Sequence, residues 1–162
     1  MATGPTAFEQ ILELKQRKEE QAQTEVRGAR LAAEQAARAV EERRREAEAF
    51  SKELLVRQAR LYDGIEGKVC ERRDVDDVRE KIALLRAHET SLYEKIKQAE
   101  AERAKAAEAL EAARAAHLQT VKNVEKFVQL VTIERTEIAA EEQASEDKEM
   151  EEFIRLGEPA DA

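Results

Sequence analysis

Between Thr6 and Arg155 the chain contains no proline, so nothing in that stretch removes a backbone donor or forces a kink. Glycine is nearly as scarce there: one break, Tyr62-Asp-Gly-Ile-Glu-Gly67, divides two long charged stretches with helical patterning. Aromatic residues make up only 4% and charged residues 40%, with a mean hydropathy of -0.70, which leaves too little apolar bulk for a globular core. Cys70 is the only cysteine, which excludes an intrachain disulfide and gives no sign of an oxidising compartment. There is no charged leader followed by an apolar stretch at Met1, and no apolar run approaches the roughly 20 residues that a membrane span needs. A soluble, cytoplasmic chain is expected.

Catalytic signatures are missing as well. The chain has no glycine-rich phosphate loop and no nucleophile elbow. Its two histidines, His88 and His117, would lie roughly 40 Å apart on one helix and cannot share a metal. Carboxylates abound, but paired acids do proton chemistry only where burial shifts their pKa, and a two-helix surface buries almost none of them. No catalytic residue, cofactor or metal site is expected, and the chain is read as a non-enzyme.

What is present is charge with helical periodicity. The net charge is -8, but residues 135 to 152 carry eight acids against Arg135 and Lys148, so the remainder is close to neutral. That distribution excludes nucleic acid, whose phosphates need a clustered basic face. The runs Arg43-Arg44-Arg45 and Arg72-Arg73 are flanked by acids and read as solvated helix surface.

Helix starts and stops are marked. Thr6-Ala-Phe-Glu9 is a capping box. Gly64 and Gly67 are expected to supply positive-φ conformations after Tyr62. Asp74, Asp76 and Asp77 place carboxylates at the positive end of a second helix, which Gly157 and Pro159 stop. The expected organisation is a disordered 1–5, helix one over 6–62, a turn over 63–73, helix two over 74–156 and a disordered 157–162.

Stepping alternately four and three residues from Phe8 to Leu61 finds twelve apolar residues at sixteen positions, and from Val78 to Ile138 thirteen at eighteen. A sustained 3.5-residue repeat defines a left-handed coiled-coil seam, so the fold class is all-α, a long two-helix antiparallel coiled-coil hairpin. Folding at the glycines pairs residues whose numbers sum to about 139: Leu54 with Leu85, Phe50 with Glu89, Leu12 with Phe127, Phe8 with Val131. His117 falls on the seam opposite Ala22 and reads as structural; Glu89 and Arg103 are charges on the seam and read as register-setting. The alanine-rich middle buries little area per layer and is the weaker segment.

Helix one can pair with helix two only up to about residue 133, so 133–156 overhang as an unpaired acidic helix ending in Met150, Phe153, Ile154 and Leu156. Paired arms of roughly 80 Å and a second helix of roughly 120 Å follow from the helical rise. A docking surface and a solvated tail both fit that segment.

Several strings, in order along the chain, resemble the type III secretion stalk proteins, YscO of injectisomes and flagellar FliJ. They are Arg60-Leu-Tyr-Asp63 before the turn, Ile82-Ala-Leu-Leu-Arg86 with Glu89 after it, Lys126-Phe-Val-Gln-Leu-Val131, and the ending Glu146-Asp-Lys-Glu-Met-Glu-Glu-Phe153. The strings near the turn look more like the injectisome branch. The resemblance implies a stalk or adaptor between the hexameric export ATPase and the cytoplasmic domain of the export gate. Such a protein would be a monomer, peripheral to the inner membrane in the bacterial cytoplasm. Secretion chaperones or the needle-length regulator would be further partners. By position, Phe8, Leu12, Met150 and Phe153 would face the ATPase, and Tyr62, Arg86 and Glu89 the gate. The alanine-rich middle and the Thr6 cap have no counterpart in the family pattern. Outside that resemblance, a self-associating structural coiled coil unrelated to secretion uses the same pattern.

Overall fold

The computed structural model describes residues 4–157. Two long helices, α1 (Ala7–Asp63) and α2 (Arg72–Gly157), pack against each other, and there is no strand among the described residues. The expectation of disordered ends falls outside the described residues for 1–3 and 158–162.

The start of α1 is closed reciprocally. Thr6 Oγ1 accepts from the Glu9 amide at 3.3 Å, and Glu9 Oε2 accepts from the Thr6 amide at 3.1 Å, satisfying two orphan donors. Its end is closed by the Tyr62 carbonyl, which accepts from Ile65 and Glu66, and by the Gly64 amide donating to the Arg60 carbonyl. Gly67 alone of the turn glycines takes a positive φ, 73°, so the expectation that Gly64 shares this role is corrected. Gly64 is already held by its bond to Arg60 and has no left-handed conformation to supply. The start of α2 also differs from the expected position. The Glu71 amide donates to Asp74 Oδ2 at 3.2 Å, so Glu71 is the cap, Asp74 is the third helical residue reaching back, and the helix begins at Arg72.

The chain divides into two compact units. In Val26–Ala113, which contains the turn, the core is a single stripe: Val40, Ala47 and Leu54 from α1 meet Val78, Ile82 and Leu92 from α2. Val40 is fully buried. Aromatics stay half-covered, because a two-helix seam has only one covered side and large side chains project past it. Cross-helix contacts set an antiparallel register close to the expected one. Phe50 packs edge-on against His88 at 4.6 Å, Ser51 donates to Glu89 at 2.9 Å, and Arg44 reaches Glu100 at 3.0 Å.

The other unit takes the described parts of Met1–Glu25 and Arg114–Ala162. Ala22 is its one residue below a tenth exposed among those described, and Phe8 stacks at a tilt on Phe127, 6.3 Å between ring centres. Phe127 thus inclines toward Phe8 from one helical turn short of Val131, the expected partner. Lys15, a charge on the seam, sits 5.6 Å over the Phe127 ring, where a cation is attracted by the ring face while its stem covers apolar surface.

All the seam positions expected from the repeat are at least partly covered except Arg43, Arg57 and Arg103. Arginine tolerates such positions by laying its stem along the helix and keeping its head in water, where Arg43 and Arg57 pair with Glu46 and Glu53.

Candidate functional site

In the turn-side unit, Glu89 is half-buried at its seam position and accepts from Ser51, whose oxygen also lies 3.3 Å from the Tyr93 hydroxyl. This small polar cluster joins the helices across the seam and gives a carboxylate there a partner, which an unpaired buried charge would lack. Arg86 is exposed and Tyr62 is half-exposed, its carbonyl engaged in ending α1. The structure therefore places Tyr62, Arg86 and Glu89 in one unit but in different settings: Glu89 is bound into the helix pair, while the other two face solvent.

An unexpected feature lies beside them. Arg57, Arg60 and Leu61 of α1 and Lys81, Leu84 and Leu85 of α2 line a shallow groove of about 520 Å³. Its floor is predominantly apolar, and Leu84 is two-thirds exposed. Arg57 is held by Glu53, whereas Arg60 and Lys81 have no ion pair among the described residues. Counting along the seam passes over this groove because Leu84 lies off the stripe. The signal that points to it is Leu84 itself, an exposed apolar residue off the seam between Ile82 and Leu85.

In the terminal unit, Phe8 and Leu12 are half-buried, Phe8 against Phe127. Glu9, besides capping α1, accepts from Arg135 Nε at 2.6 Å and pairs with its terminal nitrogen. The Arg135 guanidinium, with the Thr6 amide in support, holds the Glu9 carboxyl below its usual value. Beyond Ile138 every described residue is exposed and helical. Met150 and Phe153 are 62% and 75% exposed, so no part of α1 covers them. Phe8 and Phe153 do not come together: the helical rise between Phe127 and Phe153 amounts to roughly 40 Å. On the seam, one Glu134 oxygen is buried without a hydrogen-bond partner.

No cluster of His, Cys, Asp or Glu able to hold a metal occurs among the described residues. No helix among them is long and apolar enough to cross a membrane.

These features define an all-α coiled-coil protein that presents surfaces, two paired helices with an unpartnered acidic helical segment at one end. The chain belongs to the type III secretion protein YscO family, whose model matches residues 8–156. Its structure is similar to the crystal structure of type III secretion protein YscO from Vibrio parahaemolyticus, with a TM-score of 0.86 and 24% identity, covering 90% of this chain and 92% of that one. At that identity the likeness speaks for the fold. A comparison with curated proteins returned no match.

Proposed function

We propose that this chain is a non-enzymatic stalk or adaptor of a type III secretion export apparatus, connecting the hexameric export ATPase to the export gate. The observation that carries the reading is the terminal segment of α2. From Ala139 to Gly157 it stays helical with every residue exposed, although it carries Met150, Phe153, Ile154 and Leu156. A helix in water hides such residues unless they serve a partner. Family membership supplies the secretion context.

In this reading the terminal segment docks on the ATPase, and the surface around Tyr62, Arg86 and Glu89 meets the gate, with chaperones or the needle-length regulator as further partners. Phe8 and Leu12 contribute by packing α1 against α2, and so by holding the base from which the segment projects. When docked, the chain works as a single copy, in the bacterial cytoplasm and peripheral to the inner-membrane apparatus. A capture experiment with the full chain and with a truncation after Ile138, each offered the cognate export ATPase, tests the docking role. Loss of ATPase on truncation is expected. Capture of the ATPase by the truncated chain at full yield overturns it.

A further inference from the structure

Two surfaces on this chain are chemically complementary, and neither is covered. The first is the turn-side groove, with an apolar floor at Leu61, Leu84 and Leu85 and the unpaired cations Arg60 and Lys81 on its rim. The second is the terminal segment of α2. There Met150, Phe153 and Ile154 follow the i, i+3, i+4 spacing that puts three side chains on one helix face. Glu146 and Glu149 stand one turn before Met150 and Phe153 and border that stripe. Lys148 and Arg155, the only cations nearby, are two turns apart on the opposite face.

We infer that the terminal segment of α2 from one copy docks into the turn-side groove of a second copy. The mode is a helix laid in a groove, read by anchors at i, i+3 and i+4. The apolar stripe covers the leucines, and the bordering carboxylates meet Arg60 and Lys81. The direction of seating follows from charge. A second cavity next to the groove shares Arg60, Leu61 and Lys81 but adds Asp74 and Asp77, which repel an acidic helix and favour the Leu84 side.

Segment and groove are different patches, so the contact is heterologous and each copy offers one of each. It differs from a coiled-coil seam shared between chains, because the seam stays closed within each copy. The contact stands or falls independently of docking on an ATPase, although it would occupy the same segment and so compete with it. Self-association would then cover the apolar stripe until a partner displaces it.

Sedimentation velocity on the full chain tests this, from about 1 to about 300 μM, a range that detects contacts of modest affinity. The wild-type chain is expected to associate as concentration rises, and to do so less at high salt, which screens the rim charges. Leu84→Asp and Phe153→Asp alter exposed residues, and circular dichroism checks that each keeps its helix content. Each is expected to weaken association ten-fold or more. Should Leu84→Asp lose helix, Lys81→Glu at the groove rim serves in its place.

Mixing the two variants is the decisive measurement. Leu84→Asp retains a working segment and Phe153→Asp a working groove, so the mixture is expected to form a one-to-one complex that neither forms alone. A wild-type chain that remains monomeric throughout overturns the inference. So do variants that associate as the wild type does, and a mixture that stays monomeric. A chain that associates as described but captures no ATPase leaves this contact standing and removes the proposed docking role.

Discussion

At the scale of single residues, Glu9 does most with least. One carboxylate caps α1 through the Thr6 amide and joins it to α2 through Arg135, residues 126 positions apart. Because the folded chain holds this carboxyl below its ordinary value of 4.5, the pair favours folding at pH values above 4.5. The contribution fades as pH falls below that value and through the depressed native one. Both side chains keep contact with water, so the effect is modest. Arg135→Gln is therefore expected to lower the melting temperature at pH 7 and to lower it less at pH 2, since the deficit narrows as Glu9 gains its proton. Thermal melts of both chains at the two pH values check this. An equal deficit at both would show that Arg135 acts by packing rather than by its charge on Glu9.

At the scale of elements, each helix is specified by its ends and its seam, and the uneven places are single residues between them. Gly28 sits inside α1 with an open surface beside it, since a Cβ built there meets nothing within 4 Å. Helical glycine costs about 1 kcal/mol relative to alanine through lost backbone freedom. Gly28→Ala is expected to stabilise the chain by about 0.5 to 1 kcal/mol in urea unfolding, with an unchanged slope. No gain, or a loss, would overturn the reading of Gly28 as an open helical position. The two helices, their approximate ends and nearly every seam position were legible in the sequence because each depends on local chemistry or on a strict repeat: Thr6 with Glu9, Gly67 with its positive φ, the series from Val78 to Ile138. Three things were not. Glu71 as the cap of α2 was hidden because several acids there compete for the same amides. The Glu9–Arg135 pair depends on how two distant segments meet. The groove around Leu84 is a property of surface relief, which periodicity does not encode.

At the scale of the whole molecule, the question is where the stability lies along the chain. Almost every residue below a tenth exposed belongs to the turn-side unit, from Val40 to Leu54 on α1 and from Val78 to Leu92 on α2, leaving Ala22 in the other. The alanine-rich stretch is less covered: Ala29, Ala33 and Ala36 are only half-buried and bring one methyl group each. Composition alone extends the weak stretch to residue 40, but Val40 is fully buried and belongs with the core. The free energy of local opening rises with buried apolar contact, so the amides of a long helix need not share one protection value. Native-state hydrogen exchange is expected to rank them. Residues 40–61 and 78–92 exchange slowest, 26–36 faster, and 139–157 fastest, because that last segment has no helix packed on it at all. At about 0.8 kcal/mol for each buried CH₂, replacing one alanine layer by leucine-sized contacts changes opening by a few kcal/mol, a difference of a hundred-fold or more in exchange rate. The alanine stretch is then expected to open before the valine- and leucine-packed stretch nearer the turn. Protection of residues 26–36 equal to that of 50–61 would remove that order and leave a pair of helices that opens as one cooperative unit.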